Sequence, residues 1–254
     1  MSKRPVHPAR ICVVIPTYDN AGTVVDVIER TRPHIKDIIV VDDGSTDSTA
    51  ALLRQAGDIT VVTHERNRGK GRALLSGFAK ARELGFDCVI TIDADGQHYP
   101  EDLPLFIEAA QKMPGTIIVG SRGFGHKNMA AKSKFANKFS NFWFALQTGI
   151  RLPDTQTGYR LYPLDELHGL GLITSRYESE LELMVYAAWH AVPVRPIDVR
   201  VHYPKPEERV SHFRPGLDFT RISLLNTGLT LAALVYGYPC KLICSLARRR
   251  RERQ

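Results

Sequence analysis

Short runs of continuous apolar residues alternate with longer stretches in which apolar residues recur at helical spacing. Ile11 to Ile15 is apolar throughout, as a strand covered on both faces should be, and Pro16 stops it. Ala21 to Arg32 then places Val24, Val25 and Ile28 on one side of a helix. Ile38 to Val41 predicts the next buried strand. It ends in Asp42-Asp43-Gly44-Ser45-Thr46-Asp47, a run of turn formers and N-cap candidates. The same rhythm predicts a helix from Ser48 to Gln55, a strand from Ile59 to Thr63, a helix from Gly71 to Leu84 and a strand from Cys88 to Ile92. A helix from about Glu101 to Lys112 and a strand from Thr116 to Val119 complete the series. Strands and helices in strict alternation imply right-handed crossovers and a mainly parallel sheet with helices on both faces. Ligands of such sheets bind beyond the carboxyl ends of the strands.

After Gly120 the pattern changes. Lys132 to Leu146 predicts an aromatic-rich helix, Gly158 to Tyr162 a strand, Tyr177 to His190 a helix and Val194 to Val201 an alternating strand. From Ile222 to Tyr238 no residue is charged, and a shorter apolar piece, Leu242 to Ala247, follows Pro239 and Lys241. This tail is borderline for the roughly 20 apolar residues of a spanning helix. A span would also carry Arg248-Arg249-Arg250-Arg251 to the side opposite a cytoplasmic body, against the positive-inside tendency. The expectation is therefore a re-entrant or interfacial pair of helices with the arginines at anionic headgroups.

The 254 residues suit one large α/β domain with an appendage, and a net charge of +7 points to anionic partners. Much of that charge sits in the tail rather than in a continuous stripe, and no recognition motif is present, so nucleic acid is not an expected partner. Met1 to Arg10 is polar and basic, without the apolar core of a signal peptide, and a cytoplasmic, reducing setting is expected. Cys12 and Cys88 lie inside apolar strands and read as buried free thiols.

Candidate chemistry gathers at the strand ends. Asp93-Ala94-Asp95 follows the apolar run Val89 to Ile92. Residues two apart in an extended segment point the same way, so both carboxylates can face one point beyond the sheet. Such a pair repels itself unless a cation lies between, and a hard divalent ion fits, with Gln97 as a further oxygen ligand. That metal would neutralise a departing diphosphate. A calcium loop fits poorly, because His98 holds the sixth position and Pro104 the twelfth. Asp42 and Asp43 can accept hydrogen bonds from a base or a ribose, with capping left to Ser45 or Asp47. Pro16-Thr17-Tyr18 can wall a flat base. These sites follow strands one, two and four, which lie along one edge of a parallel sheet.

The segments Ile15-Pro-Thr-Tyr-Asp-Asn20, Val41-Asp-Asp-Gly-Ser-Thr-Asp47, Asn67-Arg-Gly-Lys-Gly71, Asp93-Ala-Asp-Gly-Gln-His98 and Gly120-Ser-Arg122 resemble glycosyltransferase family 2, in particular its dolichyl- and polyprenyl-phosphate sugar synthases. The resemblance covers about residues 10 to 205. It implies a GT-A fold, a Rossmann-like α/β architecture here followed by membrane-associating C-terminal helices. It also implies an inverting transfer from a nucleotide-diphosphate sugar and a Mg²⁺ or Mn²⁺ ion. Carried over position by position, Pro16, Thr17, Tyr18, Asp42, Asp43, Lys70, Asp93 and Arg122 would serve the nucleotide and donor. Asp93, Asp95 and Gln97 would serve the metal. Asp19-Asn20 stands where the family often has Asn-Glu. The stretch Asp154 to Arg160 is similar to the acceptor-side motif, with Arg160 as a phosphate contact. Glu180, then Glu178, are the candidate general bases, needed only if the acceptor is a hydroxyl. Both also suit a helix N-terminus electrostatically. Arg209, His212 and Arg214 offer donors to phosphate oxygens.

The expected organisation is an N-terminal segment (1–10), a nucleotide-sugar half (11–125), an acceptor half of the same domain (126–205), a mobile basic loop (206–221) and apolar helices with a basic tail (222–254). The expected partners are a nucleotide-diphosphate sugar, a polyprenyl phosphate or glycolipid acceptor and the inner face of the cell membrane. The sequence is also compatible with self-association. Rival readings are transfer to a hydroxyl of a glycolipid or surface polysaccharide, a nucleotidyltransferase, and a nucleotide-sugar-binding module without turnover.

Overall fold

A computed structural model describes residues 9–122, 131–169, 171–202 and 215–252. Side chains of 131–135, 215–219 and 251–252 are not described. The first half runs β1 (Ile11–Thr17), α1 (Val24–Thr31), β2 (Ile38–Asp42), α2 (Thr49–Gln55), β3 (Thr60–Thr63), α3 (Lys70–Glu83), β4 (Cys88–Thr91), α4 (Leu103–Lys112) and β5 (Ile117–Arg122). Next come α5 (Ala131–Thr148), β6 (Arg160–Pro163), α6 (Glu178–Trp189) and β7 (Val194–Val199). The chain closes with α7 (Pro215–Ala232), a π-helical turn (Ala233–Gly237) and α8 (Tyr238–Glu252).

The seven strands form one sheet in the order β3-β2-β1-β4-β6-β5-β7. All neighbours are parallel except β6, which runs antiparallel between β4 and β5, with Ile90 opposite Leu161 and Ile118 opposite Leu161. β1 shows why the buried strands read as continuous apolar runs. Val13 and Ile15 point into one core with Val24, Val27, Ile28 and Phe106, and Cys12 and Val14 into the other with Phe78, Phe144 and Trp189. Successive residues of a strand face opposite ways, so a sheet covered on both sides needs every position apolar. β3 at the edge alternates half-buried and exposed instead. Cys12 and Cys88 are buried free thiols, as expected.

The tail departs from the expected helix pair. Helix is already present at Pro215, so the basic linker expected through residue 221 is helical from there. Helix then continues past Pro239. The π-turn Ala233–Gly237 lies immediately before the proline and absorbs the lost hydrogen bond and ring clash that would otherwise break the helix. The result is one helix, Thr220–Arg250, 31 residues, long and apolar enough to cross a membrane by length and composition. Its packed side contacts α5 and α6. Gly237 lies against the Trp189 indole, whose Nε1 donates to Gln147 O at 2.8 Å.

α3 lies unusually close to the sheet. A Cβ on Gly77 would stand 2.5 Å from Val14 Cγ1. Val14 is fully buried, so the valine cannot step aside. Gly77→Ala is expected to lower stability by about 1–3 kcal/mol through overpacking, outweighing the ~1 kcal/mol that alanine gains in a helix. Adding Val14→Ala should return part of the loss. Urea unfolding of the single and double variants checks both.

Candidate active site

The carboxyl ends of β1, β2, β4 and β5 share one edge, and the reversed β6 begins there, so residues 154–160 meet them. Asp93 lies just past β4, and Ala94-Asp95 forms a turn rather than the expected extended segment, which still leaves Asp95 close enough to feel the Asp93 charge. Burial together with the Asp93 charge pushes Asp95 up to about 6. Burial also opposes the charge of Asp93, but the Lys70 ammonium overrides it and holds Asp93 below the usual carboxylate range. Gln97 contributes through its main chain: its N–H donates to Asp95 Oδ1 at 3.0 Å and its carbonyl accepts from His202 N at 2.8 Å. Buried His98 is pushed down to about 4, which leaves it neutral at physiological pH.

Lys70 is the hub. Its Nζ lies 2.7 Å from Asp93 Oδ1 and 2.8 Å from Glu180 Oε2, joining the stretch after β4 to the start of α6. The glycines on either side of it make this reach feasible. Gly69 has φ +93°, and a Cβ there would lie 2.4 Å from Ser175 O. A Cβ on Gly71 would lie 2.1 Å from Ser179 Oγ, and Gly71 N donates to Ser175 O at 2.9 Å. The Gly-Lys-Gly segment is thus a close-packing device that presses the α3 N-terminus against the loop before α6. Gly158 closes the floor: a Cβ there would be 2.5 Å from Asp93 Oδ2. Glu182, fully buried, fixes the same loop by accepting from Ile173 N (2.7 Å) and Thr174 N (2.9 Å).

Other expected residues fall into place differently. Asp43 was expected to stand free for the nucleoside. Instead it is buried, and its carboxylate accepts from Arg68 N (2.9 Å) and Gly69 N (2.8 Å) and meets His64 Nδ1 at 2.6 Å. It is a latch that carries Lys70 to its place. His64, whose other nitrogen meets Ser76 Oγ at 2.9 Å, completes the latch; a lone histidine at a strand end gave no sequence signal for this. Asp42 accepts from Ser45 N at 2.9 Å and is also buried. Asp47 accepts from Thr49 N and Ala21 N, while Ser48 and not Asp47 or Ser45 stands at the N-cap of α2, without a side-chain cap bond. Pro16 and Thr17 end β1, and Thr17 O accepts from Asp43 N at 2.9 Å. Half-buried Tyr18 follows at the rim. Asp19, at φ +51°, accepts from Thr46 N at 2.6 Å and so ties the two donor-side turns together.

Arg160 was expected to reach an acceptor phosphate. It lies beneath the cleft, 1% exposed, donating to Glu180 O (2.9 Å), Thr155 O (3.0 Å) and Tyr162 Oη (3.1 Å). A guanidinium so engaged supports the site rather than contacting a ligand. Arg122, at the end of β5, forks onto Asp154, with Nη2 to Oδ1 at 2.9 Å. Asp154, which the sequence reading did not single out, also accepts from Asn137 Nδ2 at 3.0 Å. Glu178 and Glu180 are both buried in the first turn of α6, and among the described residues Glu178 Oε2 and Glu180 Oε1 have no hydrogen-bond partner. Arg209, His212 and Arg214 lie outside the described residues.

Among the described residues, no three or more Asp, Glu, His or Cys side chains form a closed metal cage. Two carboxylates with the remaining positions open suit a hard divalent ion that completes its shell with phosphate oxygens and water. The raised Asp95 follows from its burial, with the neighbouring Asp93 charge adding to it.

The family model described as Glycosyl transferase family 2 matches residues 12–163. The chain is 29% identical over 217 residues to the UDP-N-acetylglucosamine–dolichyl-phosphate N-acetylglucosaminyltransferase of Methanococcus voltae, covering 76% of this chain and 86% of that protein. It is 33% identical over 172 residues to the undecaprenyl-phosphate mannosyltransferase of Micrococcus luteus, covering 64% and 70%. Among solved structures, glucosyl-3-phosphoglycerate synthase from Mycobacterium tuberculosis, in complex with Mn²⁺, uridine diphosphate and phosphoglyceric acid, superposes with a TM-score of 0.65 at 20% identity. That match covers 89% of this chain and 78% of the synthase, a likeness of fold.

Asp95 gives a test that needs no substrate. Its folded pKa is raised, so its favourable contribution is present below the unfolded value near 4 and is lost as pH rises through about 6. In chelator, Asp95→Asn should therefore melt above the parent protein at pH 7.5, and the difference should disappear by about pH 4. Thermal unfolding at both pH values measures it; equal melting points at pH 7.5 would show that the pair is not under charge strain.

Proposed function

From the premise that this chain belongs to glycosyl transferase family 2, we propose that it is an inverting sugar transferase. It takes a sugar from a nucleotide-diphosphate donor, with Mg²⁺ or Mn²⁺ held by Asp93 and Asp95, and passes it to a polyprenyl phosphate at the inner face of the cell membrane. The named activities of the Methanococcus and Micrococcus relatives support this acceptor class. The observation that carries the reading is the sharing of the Lys70 ammonium between Asp93 and Glu180, which sets the donor-side carboxylates and the acceptor-side helix a few ångströms apart.

A divalent ion bound there would withdraw electron density from the departing diphosphate. The residues of the chain do the rest. Pro16, Thr17 and Tyr18 flank the place for the base, and Asp43 fixes the loop that delivers Lys70. Lys70 adds a positive charge where the diphosphate gathers negative charge, an effect strengthened by burial. Glu178 and Glu180 line the acceptor side. An acceptor hydroxyl must lose a proton as it attacks, and a phosphate oxygen is already anionic. Glu180 holds the Lys70 ammonium through Oε2 and, among the described residues, keeps Oε1 without a partner, so a general-base role there is decided by the acceptor and not by the ion pair.

A panel of UDP- and GDP-sugars, assayed for nucleoside diphosphate release with Mn²⁺ and a short-chain polyprenyl phosphate, tests the reading. One donor should turn over only when the acceptor phosphate is present, and Asp95→Ala should lose about 10²–10³-fold of the rate. Release of nucleoside monophosphate would mean a nucleotidyltransferase, and no turnover with any donor would mean a binding module. Glu180→Gln should retain transfer to the phosphate to within about tenfold, since a general base would be worth about 10²–10⁴-fold. A parent protein that turns over with a glycolipid hydroxyl instead, and loses that transfer in Glu180→Gln, would indicate a hydroxyl acceptor.

A further inference from the structure

The helix Thr220–Arg250 is built inside out. Its packed stripe carries polar anchors. Gln147 Nε2 donates to Asn226 Oδ1 at 3.0 Å, Tyr238 Oη to Leu146 O at 2.5 Å and Lys241 Nζ to Thr148 O at 2.6 Å. Arg248 approaches Glu166 at 3.4 Å. Its outward stripe is apolar: Leu224, Leu231, Val235, Leu242 and Leu246 are 70%, 64%, 83%, 64% and 52% exposed, and Phe142 of α5 extends the patch at 59%. Between Arg221 and Arg248 the only charged residue is Lys241, which is turned onto the α5 carbonyl. A surface helix of a water-soluble protein has the opposite polarity, and a continuous exposed apolar patch of this length marks a lipid or protein contact.

We infer that this helix lies flat in the surface of an anionic bilayer, its outward stripe immersed and its inward stripe bolted to α5 and α6. The inference rests on the proposed membrane acceptor and adds the mode of seating. From Leu224 to Leu246 the stripe is about 33 Å long at 1.5 Å per residue, close to the ~30 Å of a hydrocarbon core, so length permits a span. The anchors decide against one. They recur from Asn226 to Arg248 along that same length, so a helix crossing the bilayer would pull α5, α6 and the Glu166 carboxylate in beside it. Burying unsatisfied polar groups and charge in hydrocarbon is costly. A flat helix immerses only its outward face, by about 5–10 Å. The exposed Arg249 and Arg250 at its end then meet lipid phosphates, which selects an anionic bilayer over a second copy of the chain.

Full-length protein added to preformed, sealed vesicles tests this. It should float with phosphatidylcholine vesicles containing phosphatidylglycerol and at least tenfold less with phosphatidylcholine alone. Leu231→Glu and Leu242→Glu should each cut flotation at least tenfold while leaving transfer to a short-chain acceptor in detergent unchanged. A membrane-impermeant maleimide should label Gln254→Cys fully before the vesicles are lysed. Labelling only after lysis would mean a spanning helix and overturn the inference. So would a solution dimer that Leu231→Glu splits, which would assign the stripe to a second copy. Failure to float, with detergent activity retained, would overturn the seating alone; loss of activity in the parent protein would count against the enzymatic reading instead.

Discussion

An ammonium between two carboxylates organises this protein. Two aspartates at the end of a buried strand repel each other, and the fold answers with Lys70, 2.7 Å from Asp93 and 2.8 Å from Glu180. Placing that lysine takes a set of otherwise unrelated features. Gly69 and Gly71 remove the side chains that would hold α3 away from the loop at Ser175 and Ser179. Asp43, itself held by His64, grips the backbone just before it. Glu182 tightens the loop from the far side. Arg160, buried under the cleft, holds the Glu180 carbonyl and so fixes the first turn of α6. Each contact is ordinary alone. Together they bring two separate parts of the chain to one point, which local propensity could not do.

The same convergence explains what could be read from the sequence. Periodicity placed every strand of the sheet, because β1, β2, β4 and β5 are covered on both faces and therefore written as unbroken apolar runs. Spacing put Asp93 and Asp95 near one another, although a turn at Ala94-Asp95, and not extended chain, joins them. The reversal of β6 was not legible: a four-residue buried strand, Arg160–Pro163, has the same composition in either direction. Nor was the distinction between residues that contact a ligand and residues that hold those contacts. Asp43 and Arg160 have the chemistry of ligand-binding groups, and only their partners, the amides of Arg68 and Gly69 and the carbonyls of Thr155 and Glu180, assign them to support.

The C-terminal helix was misjudged for a related reason. Pro239 reads as a helix breaker because it lacks an N–H and crowds the preceding turn. Sequence gives no sign that the turn before it can widen into π geometry and carry the helix through. Polarity by position was equally hidden. Asn226, Lys241 and Arg248 look like the exposed face of an amphipathic helix until their partners on α5, Ala191 and Glu166 are seen.

The two halves of the structure are joined through α6. Its first turn carries Glu178 and Glu180, the latter paired with Lys70, and its last residue, Trp189, receives Gly237 of the C-terminal helix against its ring. That ring is fully buried and its indole N–H is bonded to Gln147 O, so the contact is rigid rather than sliding. A surface that fixes the C-terminal helix therefore also fixes α6 and with it the Glu180–Lys70 pair. For a lipid-linked acceptor this matters more than added affinity: the headgroup is confined to a plane, and a site held at a constant height above that plane meets it without a search in the third dimension.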